Sequence, residues 1–305
     1  MKHKLILTCL AAAAINCALP AKLTAADSSA PKRILFFSKS SGYEHSSIRR
    51  GTNGEPSQAE KVLQELGPKN HFEFTFSKDG TIFTAENIQK FDAFFFYTTS
   101  DLTTAGNDHN PPMSKEGKAA FLEAIHNGKG FIGTHSAADT FHSPGFDPAH
   151  PEENYKNNGD NTDPYVQMIG AEFIVHGAQQ PSHMIVADAK FAGASEVPAD
   201  FKPLEEWYAL KNFAPNLHVL LVQDTAGMKG PMYQRPPYPA TWARLYGQGR
   251  VFYTNMGHRE DVWTNPVFQA VLVGGINWAV RNTDADVTPN LDQVTPKASV
   301  TRSVN

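Results

Sequence analysis

A chain of 305 residues, 41% hydrophobic and 19% charged, can hold one large α/β domain or two modest ones, with ample apolar content for a core. Its two cysteines, Cys9 and Cys17, fall in an N-terminal segment that reads as an export signal, so the rest offers no cysteine nucleophile and no thiolate metal ligand. Removing that segment takes away Lys2, Lys4 and Lys22 and leaves 24 basic against 31 acidic residues, a formal charge near −7 that disfavours nucleic acid or an anionic membrane as partner.

The signal reading rests on Lys2 and Lys4 before the apolar run Leu5 to Ala14, with the small residues Thr24-Ala25-Ala26 ahead of a cleavage point. The run is too short for a membrane span. Residues 1–26 are therefore expected to be a signal peptide, 27–282 one α/β domain and 283–305 a polar, solvated tail. The destination is export, periplasmic or secreted, and nothing in the chain signals an oligomeric state.

Arg33 to Phe37 (RILFF) is a short continuous apolar run, the pattern of a strand buried on both faces. It breaks into a Ser/Gly-rich loop holding Tyr43 and His45. Ser57 and Glu60 form a capping box before a helix that Gly67-Pro68 is expected to stop. Phe72, Phe74 and Phe76 alternate with polar residues as a half-buried strand. Thr84 to Lys90 is a short helix, and Phe91 to Tyr97 a buried strand ending near Asp101. Ser114 caps a further helix closed by Gly128. Gly130 to Gly133 is then a strand that opens directly into Thr134-His135-Ser136-Ala137-Ala138-Asp139-Thr140-Phe141-His142. Strands alternating with helices predict a parallel, doubly wound sheet.

Pro144 to Pro164 is rich in Pro, Asn, Asp and Gly, as in a lid or binding loop. Its Asp160, Asn161 and Asp163 could attract calcium, although their spacing is not that of an EF-hand. Strands are expected at His183 to Val186, at Leu217 to Val222 and in a hairpin, Pro239 to Tyr246 with Arg250 to Thr254 around Gly247-Gln248-Gly249. The second half is thus more antiparallel than the first. Asn265 and Pro266 start a well-buried helix through Val280.

Ligands of open α/β sheets collect beyond the carboxyl ends of the strands, where three strand ends would present His45, His135 and His258. These three are candidate ligands for zinc or a similar divalent ion, which would activate water or polarise a carbonyl. Alternatively, acid/base catalysis without metal would fall to His135, His258 and Glu206. Tyr43, Asp101, Ser136, Asp139, His176, Trp207 and Trp263 are candidate substrate-binding residues, and Trp207, Tyr208, Trp242 and Trp263 serve as sugar platforms or else as core. His71, His109, His126, His150 and His218 read as structural. Ser136 lacks the second glycine of a nucleophile elbow, and the absence of a phosphate-binding glycine loop argues against a nucleotide cofactor.

The segments RILFFSKSSGYEHSSI, GKGFIGTHSAADTF, MIGAEFIVHG, LEEWYAL and WARLYGQGRVFYTNMGHREDVWTNPVFQAVLVGGINWAV, spread over residues 32–282, resemble the ThuA-like (trehalose-utilisation) family. The resemblance implies a flavodoxin-like fold similar to class I glutamine amidotransferases. His135 would stand where those enzymes carry their elbow cysteine, and His258-Arg259-Glu260 superficially retains their H-x-E. Without a cysteine the amidotransferase reaction is excluded. The family further implies carbohydrate metabolism on 3-keto-glycosides supplied by a partner sugar 3-dehydrogenase, with elimination followed by hydration, or isomerisation, as the reaction. A non-catalytic carbohydrate-binding protein using the same crevice, and a fold without a live site, are the competing readings.

Overall fold

The computed structural model describes residues 30–302, so the expected signal peptide lies outside the described residues. Twelve strands follow one another along the chain. They are β1 (Lys32–Phe37), β2 (Phe72–Ser77), β3 (Ala93–Phe96), β4 (Gly130–Thr134), β5 (Glu172–His176), β6 (Gln180–Pro181), β7 (Met184–Val186), β8 (Leu204–Glu205), β9 (Tyr208–Lys211), β10 (His218–Gln223), β11 (Tyr238–Tyr246) and β12 (Gly249–Thr254). The helices are α1 (Gln58–Lys69), α2 (Ala85–Ile88), α3 (Lys115–His126), α4 (Pro164–Ile169), α5 (Glu260–Trp263), α6 (Pro266–Ala279) and α7 (Leu291–Val294).

The main sheet runs β2-β1-β3-β4-β12-β11-β10-β7. Its first five strands are parallel, a flavodoxin-like order in which β12 takes the fifth place; β11, β10 and β7 extend it antiparallel. Two short ladders, β5 with β9 and β6 with β8, stand apart from it.

The apolar runs become parallel strands because both faces are covered. On one side Ile34, Phe36, Phe95 and Ile132 pack with Val62 and Leu63 of α1 and Phe268, Leu272 and Ile276 of α6. On the other, Leu35, Phe37, Phe94 and Phe131 meet Phe121 and Ile125 of α3 and Met168 of α4. Register reinforces this: Phe36 sits between Phe76 and Phe95 on its neighbours, with ring centroids 5.9 and 5.0 Å away, both edge-on.

The caps are those read from the sequence. Ser57 Oγ accepts from Glu60 N and the Glu60 carboxylate accepts from Ser57 N. Asn265 caps α6 with Pro266 at its first turn. One stop differs: α1 runs through Gly67-Pro68 to Lys69, because Pro68 enters only in the last turn.

The tail corrects the expectation of solvated coil. Asn290 exchanges both side-chain hydrogen bonds with the Val219 backbone, and Leu291 and Ala298 are buried in the second core. A few widely spaced apolar residues in a polar, Pro-containing segment carry this packing without making a readable period. In the long loop Asp163 caps α4 through Tyr165 N and binds Lys118.

Candidate functional site

The carboxyl ends of β1, β4 and β12 open on the same edge of the sheet. After β1 the chain loops through Ser38 to His45. After β4 it turns at once, and His135 takes a left-handed backbone, φ 43°. After β12 it runs through Asn255 and Met256 to Gly257, whose φ of 118° swings His258 back toward the sheet. A fourth arm arrives from β8: Glu205 is buried, and the next residue, Glu206, turns the other way.

These four arms bring His45, His135, Glu206 and His258 together, with one ligand-type atom of each within 4.8 Å of the others. His258 Nδ1 is 3.2 Å from His135 Nε2 and 3.2 Å from Glu206 Oε2, and His135 Nε2 is 3.6 Å from the same oxygen. The His45 ring stands edge-on to both other imidazoles, with centroids 4.9 and 5.1 Å away.

Outer contacts aim the ligand atoms. His135 Nδ1 faces the Asn255 carbonyl at 3.4 Å, leaving Nε2 to the cluster. Tyr208 packs on the His135 ring at 4.1 Å and brings its hydroxyl to 3.4 Å from His45 Nε2. Gln179 spans His258 Nε2 at 3.0 Å and the Arg259 guanidinium at 2.6 Å. The His258 turn is fixed by Glu205, which accepts from Gly257 N and His258 N.

Burial favours the neutral form of His45 and His135. It pushes His45 well below the usual histidine range, helped by His135 and His258, and takes His135 down to about 4 against the pull of Glu206. Burial would raise Glu206, but hydrogen bonds from His135 and His258 outweigh it and hold that carboxyl far below the usual range. Glu205 is the opposite case: full burial lifts it to about 8 despite its backbone donors. His45 and His135 are therefore neutral nitrogen donors beside one ionised carboxylate.

The cluster lies in a cleft of about 790 Å³ whose walls include Tyr43, Asn107, Asp139, Phe146, His176, Gln179 and Tyr208. Of the residues expected from sequence, His45, Glu206 and His258 line it, as do Tyr43, Asp139 and His176, while His135 lies directly beneath them. His176 reaches Glu206 Oε1 at 3.2 Å.

Four of the expected substrate residues do not reach it. Trp207 is fully buried, its indole N–H donating to the Gln180 carbonyl. Trp263 stacks in the core on Tyr97 and Phe95. Asp101 spends its carboxylate on Thr103 in its own turn. Ser136 is fully buried, with its hydroxyl unpartnered and away from the cleft. Sequence reasoning misses Gln179 and takes Tyr208 only as a core aromatic or sugar platform, though Tyr208 stands two residues from Glu206 and so on the same side of an extended stretch.

The profile of the trehalose-utilisation family, ThuA, matches residues 33–279. The chain belongs to this family. Among solved structures, a protein described as ThuA-like from Bacteroides uniformis superposes with a TM-score of 0.58 at 20% identity, covering 90% of this chain and 100% of that one. Another from Parabacteroides merdae gives 0.52 at 17% identity, over 84% of this chain and 92% of that one. At such identities these establish the shared mixed α/β fold with its largely parallel sheet. No curated protein matches the chain. The ThuA motifs fall on the site: H-S-A-A-D-T carries His135 and Asp139, and G-R-V-F-Y-T-N-M-G-H ends on His258.

Proposed function

We propose that this ThuA-family chain is an exported carbohydrate-processing enzyme acting on a 3-keto-glycoside or related disaccharide, by elimination and hydration or by isomerisation, with a divalent metal held by His45, His135, His258 and Glu206. The observation that carries the reading is the convergence of those four side chains at the base of a cleft of disaccharide size. Export rests on the sequence of residues 1–26 alone.

The donor set suits a zinc-type ion. Ligands about 2.0–2.1 Å from a tetrahedral centre stand roughly 3.3 Å from one another, and the contacts among His135, His258 and Glu206 span 3.2 to 3.6 Å. Neutral His45 and His135 and the ionised Glu206 carboxylate need lose no further proton to coordinate. The ion would supply Lewis-acid polarisation of the substrate ketone.

The chain's own groups cover the remaining requirements. A C3 ketone acidifies the C2 proton, which the second oxygen of Glu206 can accept while the electron pair moves toward the ketone oxygen. Tyr208 keeps its proton, because full burial drives its phenol well above the usual tyrosine range, so it acts as a hydrogen-bond donor. Expulsion of the C1 substituent leaves an oxygen that takes up a proton, and water adds to the resulting double bond. Such a substrate has to come from an enzyme that oxidises a sugar at C3.

Elemental analysis of tag-free protein, beside turnover of a 3-keto disaccharide before and after chelation, tests the reading. One equivalent of metal, with activity lost on chelation and restored by one ion, is expected. Turnover that survives chelation would assign the chemistry to acid/base residues alone. Sugar binding without turnover would make the chain a binding module.

A further inference from the structure

A second group of ionisable side chains reaches the same cleft from outside the imidazole cluster. Asp139 lines the cleft, and behind it His142 Nε2 stands 2.9 Å from Asp139 Oδ1 while Nδ1 stands 3.3 Å from Glu172 Oε1. The His142 ring lies flat on Phe146, with centroids 3.3 Å apart and planes 2° from parallel. Glu172 is fully buried and otherwise collects neutral donors: Ser143 N at 2.9 Å, Ser143 Oγ at 2.6 Å and Asn212 Nδ2 at 2.6 Å.

A buried carboxylate with neutral donors needs a countercharge. Lys211 acts on Glu172, but its ammonium bonds the Lys156 carbonyl and Asn158. The side chain in ion-pair contact with Glu172 is His142, which is shared with Asp139. Burial works against the imidazolium, and the two carboxylates outweigh it, so His142 is raised above the usual range. Asp139 has no other side-chain partner among the described residues, which leaves its second oxygen for the cleft.

We propose that Asp139 is the hydroxyl-binding carboxylate of the cleft, accepting hydrogen bonds from a sugar, and that His142, clamped by Glu172 and Phe146, is the positioning residue that holds it there. This rests on the carbohydrate reading above for its ligand, while the relay itself rests on geometry alone. A fixed carboxylate recognises vicinal hydroxyls through charge-assisted bonds, stronger than those of a neutral acceptor.

Steady-state kinetics with 3-keto-trehalose provide the test. Asp139→Ala is expected to raise KM about ten-fold or more, the value of one charge-assisted hydrogen bond, with a much smaller change in kcat. His142→Phe, which keeps an aromatic against Phe146, should raise KM in the same direction, and the double variant should match Asp139→Ala alone. Unchanged KM in Asp139→Ala, or a His142→Phe effect that persists without Asp139, would overturn the proposal.

Should His142→Phe fail to fold, NMR titration of the His142 ring in Asp139→Asn replaces it: a lowered midpoint supports the relay and an unchanged one overturns it. A wild-type protein that neither binds nor converts the keto sugar would sink the carbohydrate reading, and the same titration would then decide the relay separately.

Discussion

His258 Nδ1 is equidistant, at 3.2 Å, from His135 Nε2 and Glu206 Oε2, although the three residues come from three separate arms of the fold. A divalent ion held between them, as proposed above, would be bound by all three atoms at once. Burial holds His45 and His135 below the usual histidine range, so neither readily carries a proton that would compete with an ion.

A divalent ion should therefore stabilise the fold. Zinc at about 100 times its dissociation constant adds about 2.7 kcal/mol through linkage, or roughly 5–10 °C in melting temperature for a domain of this size. Thermal unfolding of chelated protein with and without zinc measures it. The gain should vanish in His135→Ala and shrink sharply in Glu206→Gln; a gain that persists in both would place the ion elsewhere.

Gly257 sets the direction of His258, and alanine there should damage the site. At φ 118° an added Cβ would also stand 2.6 Å from Thr134 Oγ1, which is itself bonded to the Met256 carbonyl. A backbone held in this region costs a non-glycine residue about 1–3 kcal/mol. We expect Gly257→Ala to fold with a lowered melting temperature and to lose ten-fold or more in metal affinity, since His258 can no longer reach its position. Unchanged affinity would show that His258 is not a ligand.

Much of this architecture was legible beforehand because double-sided burial writes continuous apolar runs, as in β1, β3 and β4. The histidines after β1, β4 and β12 followed from the rule that strand ends collect ligands. What the pattern could not decide was facing. In Leu204-Glu205-Glu206-Trp207-Tyr208, alternation pairs Glu205 with Trp207 and Glu206 with Tyr208, but either pair could have met the cleft. The structure buries the first pair and presents the second. Asp101 misled for a local reason: an aspartate two residues before a threonine closes its own turn. The Glu172 clamp on His142 joins residues thirty positions apart, and no local spacing announces it.

Lys39 predicts a second point of fragility. Its ammonium is fully buried just beyond β1, pairing with Asp108 at 3.0 Å and donating to the carbonyls of Ala105 and Asn110. Asp108 in turn accepts from Ser40 N, so the pair ties the loop bearing Asn107, a cleft residue, to the strand end. Lys39→Met strands a buried carboxylate and should cost about 3–5 kcal/mol. Denaturant unfolding measures it, and adding Asp108→Asn should recover part of the loss; a cost below about 1 kcal/mol would mean the pair is not effectively desolvated.

The His142–Glu172 contact should give stability a defined pH window. Burial tends to raise Glu172, but His142, Lys211 and Ser143 hold it below its usual value, so its contribution is present above about pH 4.5 and lost as pH falls through its lowered folded value. His142 is raised, so its contribution is complete below about pH 6.5 and lost as pH rises through its folded value. The two overlap between about pH 4.5 and 6.5. In that interval His45 and His135 work the other way, because their folded values are depressed and the unfolded chain binds protons that the folded one refuses. Total stability therefore hides the clamp, and the difference between wild type and Glu172→Gln isolates it. Melting temperatures across pH 4 to 9 should show that difference largest near pH 5–6 and shrinking toward alkaline pH as His142 loses its proton. A difference that stays flat across the range would mean that His142 carries no charge in the folded protein.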